Sequence, residues 1–246
     1  EFVMEKALRR PVTIDDGSAA VTGLLLALTL PAGTPWYVPV LGSVFAICIA
    51  KQVFGGLGDN FVNPALAGRA FLLASFPAAM TTYPLVADAV TSATPLSSEF
   101  AGSVDYLQAF IGRIGGCIGE VSTLALLIGA VYLLIRRVID WRIPLSYLGT
   151  MALLTVIGGG NVLDSVLLGG TVLGAFFMAT DYVTSPVTSW GRVIYGVGIG
   201  IINYTIRRWG AYPEGTTYAI LLMNIAAPLI ERFTRPRKYG EVKRHA

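Results

Sequence analysis

Hydrophobic positions along this chain gather into long runs, separated by short breaks of glycine, proline or charge. The runs cover 17–30, 37–54, 63–76, 116–135, 144–157, 162–179, 192–206 and 218–229. A helix needs ~20 apolar residues to cross the hydrocarbon core of a bilayer, or ~17 at the short end. The pattern therefore predicts eight membrane segments, several of them shorter than a full crossing. One long polar interval, 78–112, reads as a loop.

Composition sharpens this to a class. Charged residues make up 13% of the 246, hydrophobic residues 54%, and mean hydropathy is +0.65. Soluble domains carry about 25% charged residues. The 28 glycines suit helices that approach closely where lipid gives no drive to associate. The expected fold is an all-α polytopic membrane protein, with 1–246 as one membrane domain. The net charge of +3 does not indicate nucleic acid, because the basic residues sit at segment ends.

Those basic residues orient the chain. With the N-terminus in the cytoplasm, Lys6, Arg9, Arg10, Lys51, Arg136, Arg137, Arg142, Arg192 and the basic tail fall on the cytoplasmic side. The 78–112 loop carries Asp88, Glu99 and Asp105 and is expected outside the cell's inner membrane, with both termini on the cytoplasmic side. Arg207 and Arg208 run against the rule. No signal peptide is read at the start, where Met4 to Pro11 is polar and basic.

Two stretches resemble each other. Gly55-Gly56-Leu57-Gly58 leads through Asn63-Pro64 to Leu66-Ala67-Gly68. Gly158-Gly159-Gly160 leads through Asp164 to Leu167-Leu168-Gly169. With opposite entry sides, this is the pattern of inverted repeats with discontinuous helices. Asn63 is expected to cap a helix whose first residue is Pro64, and Asp164 to cap the second copy. Such helix ends favour anions, and the adjoining unwound carbonyls can hold a cation. Tight turns at the membrane surface fit the same residues.

Cys48, Cys117 and His245 are the only cysteines and histidine. Their spacing holds no zinc, iron–sulfur or bis-His haem site, and both cysteines read as small packing residues. No catalytic or metal-ligating residue is expected. Arg69 lies inside a segment, where an ionisable group is a functional candidate. Its partner is expected to be a flavin group, Asp59 or a backbone carbonyl. Glu120 and Asp181 lie at segment ends, where the plainer readings are a helix N-terminal acid stabilised by the dipole for Glu120 and a cap or turn for Asp181. Asn63, Glu120, Asp164 and Asp181 make up the candidate cation path.

Asp88 to Leu96 gathers an acid with the hydroxyls of Thr91, Ser92 and Thr94, and Pro95 biases Thr94 to an extended backbone. Alone it reads as a Ser/Thr turn. Thr91-Ser92-Ala93-Thr94 preceded by Asp88 resembles the flavinylation motif of a family of membrane redox subunits. That family comprises the RnfD subunit of the Rnf complex and its counterpart in the sodium-pumping quinone reductase. Phe54-Gly55-Gly56-Leu57-Gly58, Asn63 to Arg69, Gly119 to Ser122, Trp141 to Pro144, Ala175 to Asp181 and Leu222 to Ile230 resemble the same family. Ser92 stands where that family often has glycine.

The resemblance implies a urea-transporter-like arrangement and FMN joined through its phosphate to the Thr94 oxygen. Asp88, Thr91, Ser92, Ala93 and Arg69 would lie around it. It implies electron transfer between ferredoxin and NAD coupled to Na⁺ or H⁺ translocation, with the lipid bilayer and further membrane and peripheral subunits as partners. A second, non-covalent flavin is left open. The family usually carries two more N-terminal helices, so the chain is expected to lack them. A passive transporter or channel without a redox cofactor is the rival reading.

Overall fold

The structure, a computed structural model, describes residues 1–84, 91–92, 106–112, 115–210 and 215–236. After the short α1 (Phe2–Ala7), α2 spans Ser18–Leu28. α3 (Tyr37–Val44) continues without a break as a π-helix, Phe45–Gln52. α4 (Pro64–Ser75) and α5 (Pro77–Thr81) lead into the ribbon of β1 (Tyr83–Pro84) and β2 (Thr91–Ser92). Then follow α6 (Tyr106–Ile111), α7 (Thr123–Ile135), α8 (Arg142–Ile157), α9 (Val162–Leu167) and α10 (Thr171–Leu173). α10 passes into a second π-helix, Gly174–Met178, before α11 (Ser189–Trp209) and α12 (Thr216–Thr234).

Most expected segments coincide with helices, and two do not. The fourth run was expected from 116, but α7 starts at Thr123, where the Ser122 hydroxyl accepts from the Ala125 N–H at 3.3 Å. Residues before it are held by the end of α2 instead: Ile118 N–H donates to Leu30 O at 3.0 Å and Gly119 N–H to Leu28 O at 2.7 Å. The sixth run is broken. Gly169 and Gly170 have φ of 70° and 65°, the left-handed region that glycine enters without steric cost, and they part α9 from α10.

Among the described residues, no helix is long and apolar enough to cross a membrane. α11 and α12 have the length, 21 and 19 residues, but arginines and glycines dilute α11, and threonines, Asn224, Glu231 and Arg232 dilute α12. The other apolar runs are shorter or interrupted. The eight expected spans thus appear as helical pieces.

The core has two parts. Leu26, Leu30, Val38, Leu72 and Met80 bury together where α2, α3 and α4 meet. The larger part joins α8, α11 and α12 with the π-helix after α10, through Ile143, Met151, Ile199, Ile220 and Met223. α11 lies between α8 and α12. Gly196 makes that approach: a Cβ there would stand 2.7 Å from the Ile143 carbonyl, closer than real side chains permit.

Candidate functional site

Two asparagine–tyrosine pairs mark the ends of the larger core. On one, Asn224 of α12 donates to the Tyr195 hydroxyl of α11 at 2.6 Å. On the other, Asn203 of α11 donates to the Tyr147 hydroxyl of α8, also at 2.6 Å. All four are buried. Tyr195 and Asn203 are two turns apart on one face of α11, ~12 Å at 1.5 Å per residue. Each pair holds a helix break.

The Asn224 pair holds the start of α4. Asn224 Oδ1 accepts from the Asn63 N–H at 3.2 Å, and its Nδ2 also donates to Thr184 O at 3.2 Å. Asn63 has extended backbone, and its side-chain oxygen accepts from Ala65 and Leu66 N–H at 3.0 and 3.2 Å. Its Nδ2 donates to Met178 O, where the second π-helix ends, at 3.3 Å. The expected Asn63 cap with Pro64 at the first helical position is therefore formed.

A cavity of about 400 Å³ opens beside this junction, lined among others by Lys51, Asn60, Asn63, Phe177 and Asp181. Lys51, expected at a cytoplasmic segment end, is buried and pairs with Glu1 at 2.7 Å. Asp181 accepts from the Thr184 hydroxyl at 3.0 Å and the Val183 N–H at 3.4 Å. Burial holds its carboxyl above the ordinary range, against the pull of those two bonds. Asn63 and Asp181 thus line one cavity.

The Asn203 pair holds the break between α9 and α10. Thr216 receives bonds from Tyr147 and Asn203, at 3.3 Å each, and donates to Gly169 O at 3.3 Å. Arg207 fills the break. Its Nη1 donates to Ser165 O at 2.9 Å, and its Nη2 reaches Leu168 O, Gly169 O and the Thr171 hydroxyl at 3.1, 2.9 and 2.7 Å. The cap of α9 is Asn161, which accepts from Leu163 N–H at 3.0 Å. Asp164, expected as that cap, lies in the first turn of α9, because Asn161 and not Asp164 has the extended backbone.

Asp164 instead meets Tyr106 of α6, which also receives a bond from Asn161. Burial first, and then Asp164, raise the Tyr106 phenol above its ordinary pKa. The return arm of the 78–112 interval is thereby tied to the second helix break.

A third cluster lies where α2 ends. Arg69 is buried in α4, and its guanidinium donates to Thr29 O and, at 3.6 Å, to the Cys117 sulfur. Glu120 is buried beside it and accepts from the Cys117 N–H at 3.1 Å. Of the partners considered for Arg69, the backbone carbonyl is met. Glu120 lies apart from the cavity that Asn63 and Asp181 line.

Asp88, Ala93 and Thr94 lie outside the described residues. Thr91 and Ser92 are described as β2, antiparallel to β1 with Tyr83 opposite Ser92 and Pro84 opposite Thr91.

Residues 1–240 match the model of the NQR2, RnfD, RnfE family. The chain belongs to this family. Its relatives include a subunit, lettered D, of the Na(+)-translocating ferredoxin:NAD(+) oxidoreductase complex of Acetobacterium woodii. That relative is 54% identical over 99% of this chain and 79% of its own length. The same-lettered component of the proton-translocating ferredoxin:NAD(+) oxidoreductase complex of Clostridium ljungdahlii is 45% identical over 98% of this chain and 80% of its own. Its counterpart in the ion-translocating oxidoreductase complex of Stutzerimonas stutzeri is 39% identical over 97% and 79%.

Within this member of the NQR2, RnfD, RnfE family, sequence reading passed over Tyr147, Tyr195, Asn203 and Asn224. The signal was present for the asparagines. Asn224 sits alone in an apolar stretch and Asn203 closes one, and a polar side chain there must find a partner on another helix.

Proposed function

We propose that this chain is the membrane subunit of an Rnf-type electron-transport complex, working with other membrane and peripheral subunits. It carries FMN on Thr94 at the outer face and couples electron transfer between ferredoxin and NAD to Na⁺ or H⁺ translocation. The observation that carries this reading is the match along nearly the whole chain to subunits of complexes named for that activity. Relatives named for Na⁺ and for protons leave the cation unassigned.

Bound FMN would supply one-electron acceptance and release, and this chain's residues would position and tune it. Thr94 would provide the hydroxyl for a phosphoester, which valine cannot. The β1–β2 pairing supports a fixed base for the loop, with Thr94 two residues beyond Ser92. Arg69 fits a supporting place less directly, since its guanidinium would first have to leave Thr29 and Cys117.

The reading includes a membrane fold of inverted repeats, urea-transporter-like, with the cation moving past the two helix breaks. Support comes from the paired caps Asn63 and Asn161, the two π-helices and the two Asn–Tyr pairs. In it, Asn63 and Asp181 face one side and Asp164 the other, with Glu120 beside the second break. Asp181 would accept Na⁺ as a carboxylate, so protonation would oppose that binding, whereas in a proton path protonation of Asp181 would itself be the binding step.

The test is flavin fluorescence of the denatured subunit after electrophoresis, from cells able to attach flavin. A fluorescent wild-type band and a dark Thr94→Val band are expected. A dark wild-type band would leave the passive-transporter reading, which the 400 Å³ cavity also fits.

A further inference from the structure

A second cavity, of about 590 Å³, lies between the α7–α8 turn, the start of α11 and the residues after the second π-helix. Its walls include Arg137, Asp140, Trp141, Tyr182, Ser185 and Arg192. It shares Val138, Ile139, Thr180 and Tyr182 with the cavity beside Asn63, but none of its charged lining residues belongs to the proposed cation path.

Its charge is one-sided. Asp140 accepts from Arg142 at 2.9 Å and from Arg192 at 2.5 Å, so two guanidiniums face its single carboxylate. Arg137 adds a third cation and has no ion-pair partner among the described residues. It ends α7 with φ of 55°, in a left-handed turn closed by Val138 N–H on Leu133 O at 2.9 Å. Arg192 spends Nε on Pro186 O and Nη1 on Asp140, which leaves Nη2 for a further acceptor. The Ser185 hydroxyl is a further donor in the wall.

The surroundings of the cavity are apolar and exposed. Ile135, Trp141 and Leu145 are 76%, 57% and 61% exposed. Trp141 lies against the Arg142 guanidinium, 5.6 Å from ring to cation. Guanidinium forks match phosphate oxygens, and exposed aromatic and aliphatic side chains match the acyl boundary. A soluble anion would use the first feature and leave the second unused.

We infer that this cleft binds the phosphodiester headgroup of an anionic phospholipid, with Arg137 and Arg192 on the phosphate and Trp141 at the acyl boundary. The inference rests on the membrane reading above. It assigns the clustered arginines of this face a ligand, beyond setting orientation. Basic pockets between membrane helices take such headgroups by charge and by fork geometry.

The test uses the intact complex, stripped of lipid in detergent and titrated with phosphatidylglycerol, phosphatidylcholine or inorganic phosphate while its thermal midpoint is followed. Phosphatidylglycerol is expected to raise the midpoint, and the other two to leave it in place. Arg137→Gln should raise the half-saturating phosphatidylglycerol concentration about fivefold, the effect of one basic residue near an anionic surface. The inference is overturned by equal responses to the two lipids, by inorganic phosphate replacing phosphatidylglycerol, or by an unchanged Arg137→Gln titration. Alkaline carbonate extraction separates the two readings. A chain released from membranes would overturn the membrane reading and this one with it. A retained chain indifferent to headgroup charge would overturn this inference alone.

Discussion

The two ends of the α8–α11–α12 core use the same joint for different ends. Asn224–Tyr195 and Asn203–Tyr147 have the same 2.6 Å bond, and each steadies a helix break. At the Asn203 end, the bare carbonyls between α9 and α10 are met by Arg207, a cation the chain supplies itself. At the Asn224 end, the start of α4 faces a cavity shared with Asp181 and Lys51. Exposed carbonyls at a broken helix demand donors or cations. The protein closes one break with a tethered guanidinium, whereas the other, a capped helix start, faces a cavity.

The strongest way to break this comparison is Arg207→Met. It removes the charged donor shared by three carbonyls and a hydroxyl, leaving Gly169 O with the Thr216 hydroxyl and Ser165 O and Leu168 O with the Thr171 hydroxyl. Hydrogen bonds to a charged group contribute ~1.5–3 kcal/mol, so a loss of about 3 kcal/mol is expected. A fall in thermal midpoint in detergent checks it. Arg207→Lys should recover only part, because an ammonium cannot reproduce the fork. An unchanged midpoint in Arg207→Met would remove the idea that the break needs an internal cation.

Asn224→Ala comes next, at about 2 kcal/mol, since Asn63 N–H, the Tyr195 hydroxyl and Thr184 O each lose a partner. Asn203→Ala should cost less, about 1 kcal/mol, because Tyr147 and Thr216 still bond each other. If the order of the two is reversed in denaturant titrations, the Asn203 joint is the main one and the comparison inverts.

The smallest expected effect is electrostatic. Burial raises the Asp140 carboxyl, but the Arg142 backbone N–H and the Arg192 and Arg142 cations outweigh that and hold it below the ordinary range. A lowered folded-state pKa gives stability that is present above the unfolded value and lost as pH falls through the folded one. The network is partly exposed, so the contribution is about 1 kcal/mol or less. Asp140→Asn should therefore cost up to about that amount at neutral pH, change little in acid, and flatten the acid limb of a stability-against-pH curve below about pH 4.

How much of this was legible in the sequence depends on reach. The Asn63-Pro64 cap was readable because capping is decided within three residues. The break in 162–179 was half readable: its glycines were visible, but matching Leu-x-Gly spacings pointed to Asp164, and backbone geometry put the cap on Asn161. The start of α7 was misplaced because residues near 118 are claimed by α2, far off in sequence. The Asn–Tyr joints span 29 and 56 residues, and no local pattern fixes which buried tyrosine an asparagine meets. Lys51 shows the same limit. Counting it as an interfacial charge was reasonable, yet the Glu1 carboxylate, just ahead of α1, takes it into the interior.

The central claim, a cation path at the Asn224 end linked to electron flow, is tested most directly by Asp181→Asn in the intact complex. The measurement is cation uptake into proteoliposomes during ferredoxin-driven NAD reduction, followed with radiolabelled sodium and a pH-sensitive dye. Asp181 is raised above the ordinary carboxylate range by burial, so wild-type sodium uptake should fall as pH drops through that raised value, as the carboxylate is lost. Asp181→Asn should lose at least about tenfold in uptake at neutral pH, as expected for a lost charged ligand, while its flavin fluorescence stays. Uptake at the wild-type rate, with the wild-type pH dependence, would contradict the account.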